Sequence, residues 1–181
     1  MHHPVKTSLV VSLLYAAAFF AAGQARAADI TVKMFKATPN GTGDALGTVT
    51  ISDTDKGASF KLALHGLPPG THGFHVHENG TCGPTIYTGI LIPAGAAGGH
   101  YDPDHTGKHL GPNGEGHLGD LPVLEIDGKG AADQTLLAPR IKNIDDLKGL
   151  SLVINVGGDN YSDTPRLDGG GGGRIACGLI Q

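Results

Sequence analysis

Two groups of side chains in this sequence have the donor types and the spacing of metal ligands. In His72-Gly73-Phe74-His75-Val76-His77, an extended backbone sends Phe74 and Val76 to one face and His75 and His77 to the other, so two imidazoles stand side by side on the outside of a sheet. An i, i+2 pair of this kind clamps a metal, although exposed histidines also reach the pattern by chance. The second group strengthens the reading. His100 is followed after eight residues by His109, after seven more by His117 and after two more by Asp120. Three imidazoles and a carboxylate suit a four-coordinate zinc site with no open position, and a closed site of that kind is structural. The bland alternative is a polar loop that happens to be rich in histidine, and two groups together weigh against it.

The elements that must position these side chains are strands. Apolar residues alternate at Ile30, Val32 and Met34, at Val49 and Ile51, at Phe60, Leu62 and Leu64, and at Phe74 and Val76. Further strands are expected over Leu121 to Ile126, Thr135 to Ala138, Leu152 to Val156 and Ile175 to Ile180, with one helical turn over Asp145 to Lys148. Turn pairs such as Asn40-Gly41, Pro69-Gly70, Asp127-Gly128 and Gly157-Gly158 punctuate them. About eight short strands and almost no helical periodicity predict an antiparallel sandwich or flattened barrel. Two connections, Asn79 to Leu121 and Val156 to Arg174, are too long for hairpins and rich in Gly and Pro. The first carries most of the histidines and is expected to be ordered by metal and by Cys82. The glycine run from Gly169 to Gly173 reads as a tight surface loop held down by a nearby disulfide.

Residues 1–27 read as a secretory leader, with an apolar stretch from Leu9 to Ala22 and the small-x-small pattern Ala25-Arg26-Ala27. The apolar stretch is short of the ~20 residues a spanning helix needs, so no membrane span is expected in the mature form. Residues 28–181 then form one domain, exported to the periplasm or secreted. A formal net charge of -4 without long charged runs argues against nucleic acid and membrane surfaces as partners. Cys82 and Cys177 are the only cysteines, and export places them where disulfides persist, so they are expected to pair.

The segments Gly73 to Gly80, Gly98 to Pro122, Gly157 to Asp163 and Gly170 to Gly178 resemble the copper-zinc superoxide dismutases, particularly the exported bacterial branch. The resemblance covers nearly the whole mature chain and implies a Greek-key fold. It makes His75 and His77 copper ligands, His100 the imidazolate shared by copper and zinc, and His109, His117 and Asp120 the remaining zinc ligands. It makes Asp159 the carboxylate that links His75 to His109 from behind, and Arg174 the guanidinium that docks the superoxide anion. Lys108 adds to the attractive field for that small anion. His72 takes a structural hydrogen bond, while His65 and His105 fall at a strand end and in an exposed loop.

The sequence departs from the family at one position. In Leu152-Val153-Ile154-Asn155-Val156, the family carries histidine where Asn155 stands, four residues before Asp159. Inward-pointing Leu152, Ile154 and Val156 leave Asn155 facing the metals. An amide oxygen is a hard, weak donor that suits cuprous ion badly, so copper affinity and dismutation are expected to fall. Two readings follow: a superoxide dismutase with redox copper and structural zinc, or a non-catalytic relative that keeps zinc and binds copper weakly. The resemblance allows either a monomer or a homodimer.

Overall fold

The computed structural model describes residues 28–181, so the expected leader lies outside the described residues. The strands are β1 (Ile30–Thr38), β2 (Gly41–Thr54), β3 (Gly57–Leu64), β4 (Gly70–His72), β5 (Phe74–His77), β6 (Thr85–Tyr87), β7 (Ile90–Ile92), β8 (Leu124–Ile126), β9 (Thr135–Ala138), β10 (Ser151–Asn155) and β11 (Arg174–Leu179). Seven of them form a curled antiparallel sheet in the order β5-β10-β11-β1-β2-β3-β9, while β4 pairs with β8 and β6 with β7. β1, β2 and β3 meander, and β11 returns to lie beside β1, which is the Greek-key connection. The inward residues of this curl share one core, from Val32 and Met34 through Val49, Ile51, Phe60 and Leu62 to Phe74, Val76, Leu152 and Ile154. Phe60 and Phe74 meet edge to face within it, with ring centroids 6.0 Å apart. Among the described residues no helix is long and apolar enough to cross a membrane.

The structure has more strands than the alternation predicts, and the reasons are local. The hairpin β6–β7 lies inside the first long connection, where Thr85-Ile86-Tyr87 and Ile90-Leu91-Ile92 lack a period of two. Its turn is nevertheless legible, because Thr88 (φ 48°) and Gly89 (φ 81°) take the paired left-handed conformations of a two-residue hairpin. The strand expected from Leu121 begins only at Leu124. The expected helical turn is a 3₁₀ turn one residue earlier, Ile144–Leu147, capped by Asn143 Oδ1 accepting from the Asp145 N–H at 3.1 Å.

Val156 corrects the expected inward set. β10 ends at Asn155, and Val156 is 52 % exposed. The register against β11 slips between Ile154, opposite Ala176, and Asn155, opposite Arg174. That bulge ends the alternation and turns Asn155 and Arg174 into neighbours across the ladder. Cys82 and Cys177 are joined, at a sequence separation of 95.

Candidate metal centre

β5 and β10 are adjacent, with Val153 opposite His75 and Ser151 opposite His77, so the two imidazoles leave the sheet on its outer face. They are not solvent-facing, as alternation alone implies: His75 is 0 % and His77 1 % exposed. The first long connection folds back over them, bridging His77 to His100 and His75 to Asp120 through the backbone. This cover brings both groups of ligand-type residues into one cluster. His75 and His100 stack with centroids 3.9 Å apart.

The His100, His109, His117 and Asp120 side chains converge. Their Nδ1 atoms lie 3.0, 3.0 and 3.3 Å from Asp120 Oδ1. Donors on ~2.0 Å arms around a tetrahedral centre are about 3.3 Å apart, so the three edges that meet at Asp120 Oδ1 match those of a zinc tetrahedron, and all four ligand atoms lie within 4.8 Å of one another. Asp120 Oδ2 faces away and accepts the backbone N–H groups of Leu110 and Gly111 at 3.1 and 3.2 Å. His109 Nδ1 is buried and makes no hydrogen bond, since its contact with Asp120 Oδ1 lacks hydrogen-bond geometry. His77 Nε2 is likewise buried and unpaired. Gly98 O accepts from His77 Nδ1 at 2.9 Å, so the proton sits on Nδ1 and Nε2 presents a lone pair. A buried ring nitrogen without a hydrogen bond is destabilising unless a proton beside a carboxylate or a metal ion satisfies it, and copper and zinc fit the cluster that holds both atoms.

Around this core the second long connection supplies bracing. Asp159 spans two imidazoles, His75 Nε2 at 2.8 Å and His109 Nε2 at 2.7 Å. Asp159 Oδ1 also accepts the Tyr161 N–H at 2.7 Å, and Tyr161 Oη accepts the Val123 N–H at 3.0 Å. Asp163 Oδ2 accepts the His109 N–H at 3.0 Å. Gly169, at φ 70°, passes so close that a side chain there would overlap Asp159 Oδ1. The glycine run packs against the carboxylate at its start, where Gly169 N–H donates to Ser162 O and Gly169 O accepts the Asn160 N–H, and is held further on by Val156 N–H to Gly173 O and Gly157 N–H to Gly171 O.

Arg174 is half-buried and donates to two carbonyls of the covering segment, Ala94 O and Gly98 O, each at 2.7 Å. Asn155 donates through Nδ2 to Gly172 O at 3.0 Å and turns Oδ1 toward His75 Nδ1 at 3.1 Å. His72 is buried, with its two ring nitrogens 2.7 Å from Asn155 O and 2.9 Å from Pro68 O. His65, His105 and Lys108 are exposed.

A family model described as Copper/zinc superoxide dismutase (SODC) matches residues 45–180. Superoxide dismutase [Cu-Zn] 2 of Salmonella typhimurium is 52 % identical over 157 residues, 87 % of this chain and 91 % of that protein. Superoxide dismutase [Cu-Zn] of Brucella abortus is 48 % identical over 177 residues, 98 % of this chain and all of that one. This chain belongs to the copper/zinc superoxide dismutase family. The solved Cu/Zn superoxide dismutase from Brucella abortus superposes with a TM-score of 0.84 at 51 % identity, covering 85 % of this chain and 100 % of that chain. A SOD-like protein from Bacillus subtilis superposes with a TM-score of 0.65 at 28 % identity, covering 83 % of this chain and 97 % of that chain. Membership implies copper and zinc as cofactors, superoxide as substrate and oxidoreductase activity.

Within this superoxide dismutase scaffold one cation escapes sequence reasoning. Arg140, just beyond β9 at the far edge of the sheet, donates through Nη1 to His117 O at 3.0 Å and through Nη2 to Gly116 O at 2.9 Å. Only the fold brings it to the histidine loop, so no motif marks it. Arg140→Met is expected to weaken zinc retention about tenfold in chelator competition, the lower end for a residue that orients a ligand. Arg140→Lys should recover part of the loss, because a single ammonium reaches one carbonyl better than two.

The charges of the cluster set a pH dependence for the metal-free protein. Burial, with repulsion from His75, lowers His100 to about 4. Burial, with His100, Arg174 and His75 nearby, also holds His77 well below the usual imidazole range. Burial opposes the charge on His109 too, but the carboxylates of Asp120 and Asp159 outweigh it and raise this group to about 10. Those two carboxylates are in turn held below the usual range: burial pushes each up, and the histidines beside them prevail. Below pH ~6.5 the unfolded chain protonates His77 and His100 positions that the fold keeps neutral, so stability falls with pH. Above pH ~6.5 the fold retains a proton on His109 that the unfolded chain releases, so stability falls again toward about 10. The melting temperature of the metal-free protein should therefore peak near pH 6–7 (~6.5), and zinc should remove the alkaline fall by taking His109 Nδ1 in place of its proton.

Proposed function

We propose that this protein dismutates superoxide at a site held by His75, His77 and His100, with structural zinc held by His100, His109, His117 and Asp120, and that Asn155 leaves the copper position weakly bound. The observation that carries the reading is the pair of buried ring nitrogens without a hydrogen-bond partner, His77 Nε2 and His109 Nδ1, the second of them 3.0 Å from Asp120 Oδ1. Copper, when bound, supplies one-electron chemistry that oxidises one superoxide to oxygen and reduces the next to peroxide. The chain's own residues do the rest. Arg174, braced by two carbonyls, offers positive charge to the anion at the end of the ladder beside Asn155. Asp159 fixes the rings of His75 and His109 together. His100 ring nitrogens face both ligand groups, so His100 can hold or give up a proton on the copper side while Nδ1 stays with Asp120.

Asn155 acts in two ways. It supplies no imidazole, and its Oδ1 favours a proton on His75 Nδ1, the nitrogen left for copper once Nε2 serves Asp159. The non-catalytic reading rests on the same residue. Export to the periplasm is part of the proposal, supported by the apolar segment Leu9 to Ala22 and by the disulfide. The test is copper and zinc content measured with dismutation on the same metal-loaded sample. One zinc, with activity that rises with copper loading, supports the dismutase. Zinc with no copper, or copper without activity, leaves a zinc-stabilised relative.

A further inference from the structure

Tyr161 is the one aromatic residue of the second long connection, Val156 to Arg174. Its backbone is left-handed, φ 55°, a conformation that a bulky side chain keeps only where its surroundings fix it. The fixing contacts lie on both sides of Asp120. On one side the ring lies against Gly111, where an added β-carbon would come within 2.6 Å of Tyr161 Cγ, and the Gly111 N–H is one of the two that Asp120 Oδ2 accepts. On the other side Tyr161 Oη accepts the Val123 N–H, three residues past Asp120, at 3.0 Å. The Tyr161 N–H closes a short turn on Asp159 Oδ1 at 2.7 Å, the bond an aspartate makes to the backbone two residues ahead. One side chain thus ties the Asp159 carboxylate to the segment around Asp120.

The carboxylate so placed decides a competition at His75. Neutral imidazole carries one N–H and one lone pair, and both ring nitrogens of His75 face an oxygen, Asn155 Oδ1 at 3.1 Å from Nδ1 and Asp159 Oδ2 at 2.8 Å from Nε2. The amide is not free to turn, because its Nδ2 donates to Gly172 O at 3.0 Å. The bond to an ionised carboxylate is the shorter and stronger of the two, so the proton stays on Nε2 while Asp159 keeps its place. We propose that Tyr161 is a positioning residue for the copper side: by pinning Asp159 it holds the His75 proton on Nε2 and leaves the Nδ1 lone pair open to a metal ion, against the pull of Asn155 Oδ1. Without the tyrosine, Asp159 moves with a connection rich in glycine, and the amide oxygen draws the proton to Nδ1. His75 then has no lone pair toward copper. This role rests on the proposed function of His75 Nδ1 as a copper donor, but the tautomer is read without copper and without activity.

The test is the tautomer of His75, measured by NMR from ring-nitrogen chemical shifts of the zinc-loaded, copper-free mature protein. Wild type, Tyr161→Phe, Tyr161→Leu and the double variant Tyr161→Leu with Asn155→Ala are compared, and His77, whose Nδ1–H is held by Gly98 O, is the internal control. The expected result is a proton on Nε2 in the wild type and a tautomer ratio shifted toward Nδ1 by about tenfold in Tyr161→Leu, the worth of one hydrogen bond. Tyr161→Phe keeps the ring on Gly111 and loses only the acceptor for Val123, so its shift is smaller. Removing the amide oxygen in the double variant returns the proton to Nε2. Lost packing alone predicts no such rescue, since Asn155→Ala adds no contact. Copper retention should follow the tautomer, falling in Tyr161→Leu and recovering in the double variant. A wild type with the His75 proton on Nδ1, or on both nitrogens, overturns the proposal. So does an unchanged His75 in Tyr161→Leu with zinc content and the His77 signal intact, or a shift that persists in the double variant. Should Tyr161→Leu fail to hold zinc, Tyr161→Phe decides alone, a shift supporting the role and an unchanged ratio overturning it. A protein that proves unable to dismutate superoxide leaves the tautomer result standing.

Discussion

Asn155→His raises copper retention and superoxide dismutation together, by at least about 100-fold, the upper end of what residues merely supporting a ligand contribute. Asn155 ends β10 on the metal face, opposite Arg174, with its backbone N–H held by Gly73 O at 2.9 Å. A histidine there keeps that backbone and adds a soft nitrogen donor to the three imidazoles of His75, His77 and His100, which already have ligand atoms within 4.8 Å of one another. It also removes the oxygen 3.1 Å from His75 Nδ1. Asn155→Ala separates the two effects, since it removes the oxygen and adds no donor. Copper retention should rise only slightly in that variant, with dismutation staying near the starting level. Equal activity in Asn155→His and the unmodified protein, both fully copper-loaded, would show that three imidazoles suffice.

Breaking the disulfide has the second large effect. The double change Cys82→Ser and Cys177→Ser is expected to cost about 3–5 kcal/mol, lowering the melting temperature by roughly 10–15 °C. The enclosed segment is long, with a separation of 95 residues, which maximises the entropy regained by the unfolded chain. The loss extends to the site, because Cys177 lies three residues past Arg174 on β11 and Cys82 begins the segment whose carbonyls hold that arginine. Anion affinity should therefore weaken in a variant that is still folded at low temperature, as measured by azide titration of the copper-loaded Asn155→His background. A melting temperature changed by less than ~3 °C would show that the loops hold themselves.

Alternation was enough to identify the curled sheet, because half-buried strands write their inward face into every second residue. The same rule put His75 and His77 on the correct face and misjudged their exposure, since period two says nothing of a distant segment folding over that face. It failed again at Val156, where a bulge against β11 breaks the period. The hairpin at Thr88-Gly89 could be read from its turn but not from alternation, for its apolar residues are consecutive and exposed. Ligand spacing from His100 to Asp120 was local and legible. Arg140, Tyr161 and Asp163 were not, because their partners lie 23, 38 and 54 residues away and each pairing exists only once the sheet has closed.

The five glycines from Gly169 to Gly173 look interchangeable on paper, and the packing of the first of them makes them unequal. Gly169 combines a left-handed backbone with a carboxylate where its β-carbon would go, whereas at Gly173 an added carbon would meet only Val156 Cγ1, at 3.9 Å, on ordinary backbone. A randomised library across this run should return one letter at its start and many at its end. The segment thus behaves less like a spacer than like a hinge pin with a free handle, and the handle, next to Arg174, is where natural or designed variation can retune the local charge without disturbing the metals.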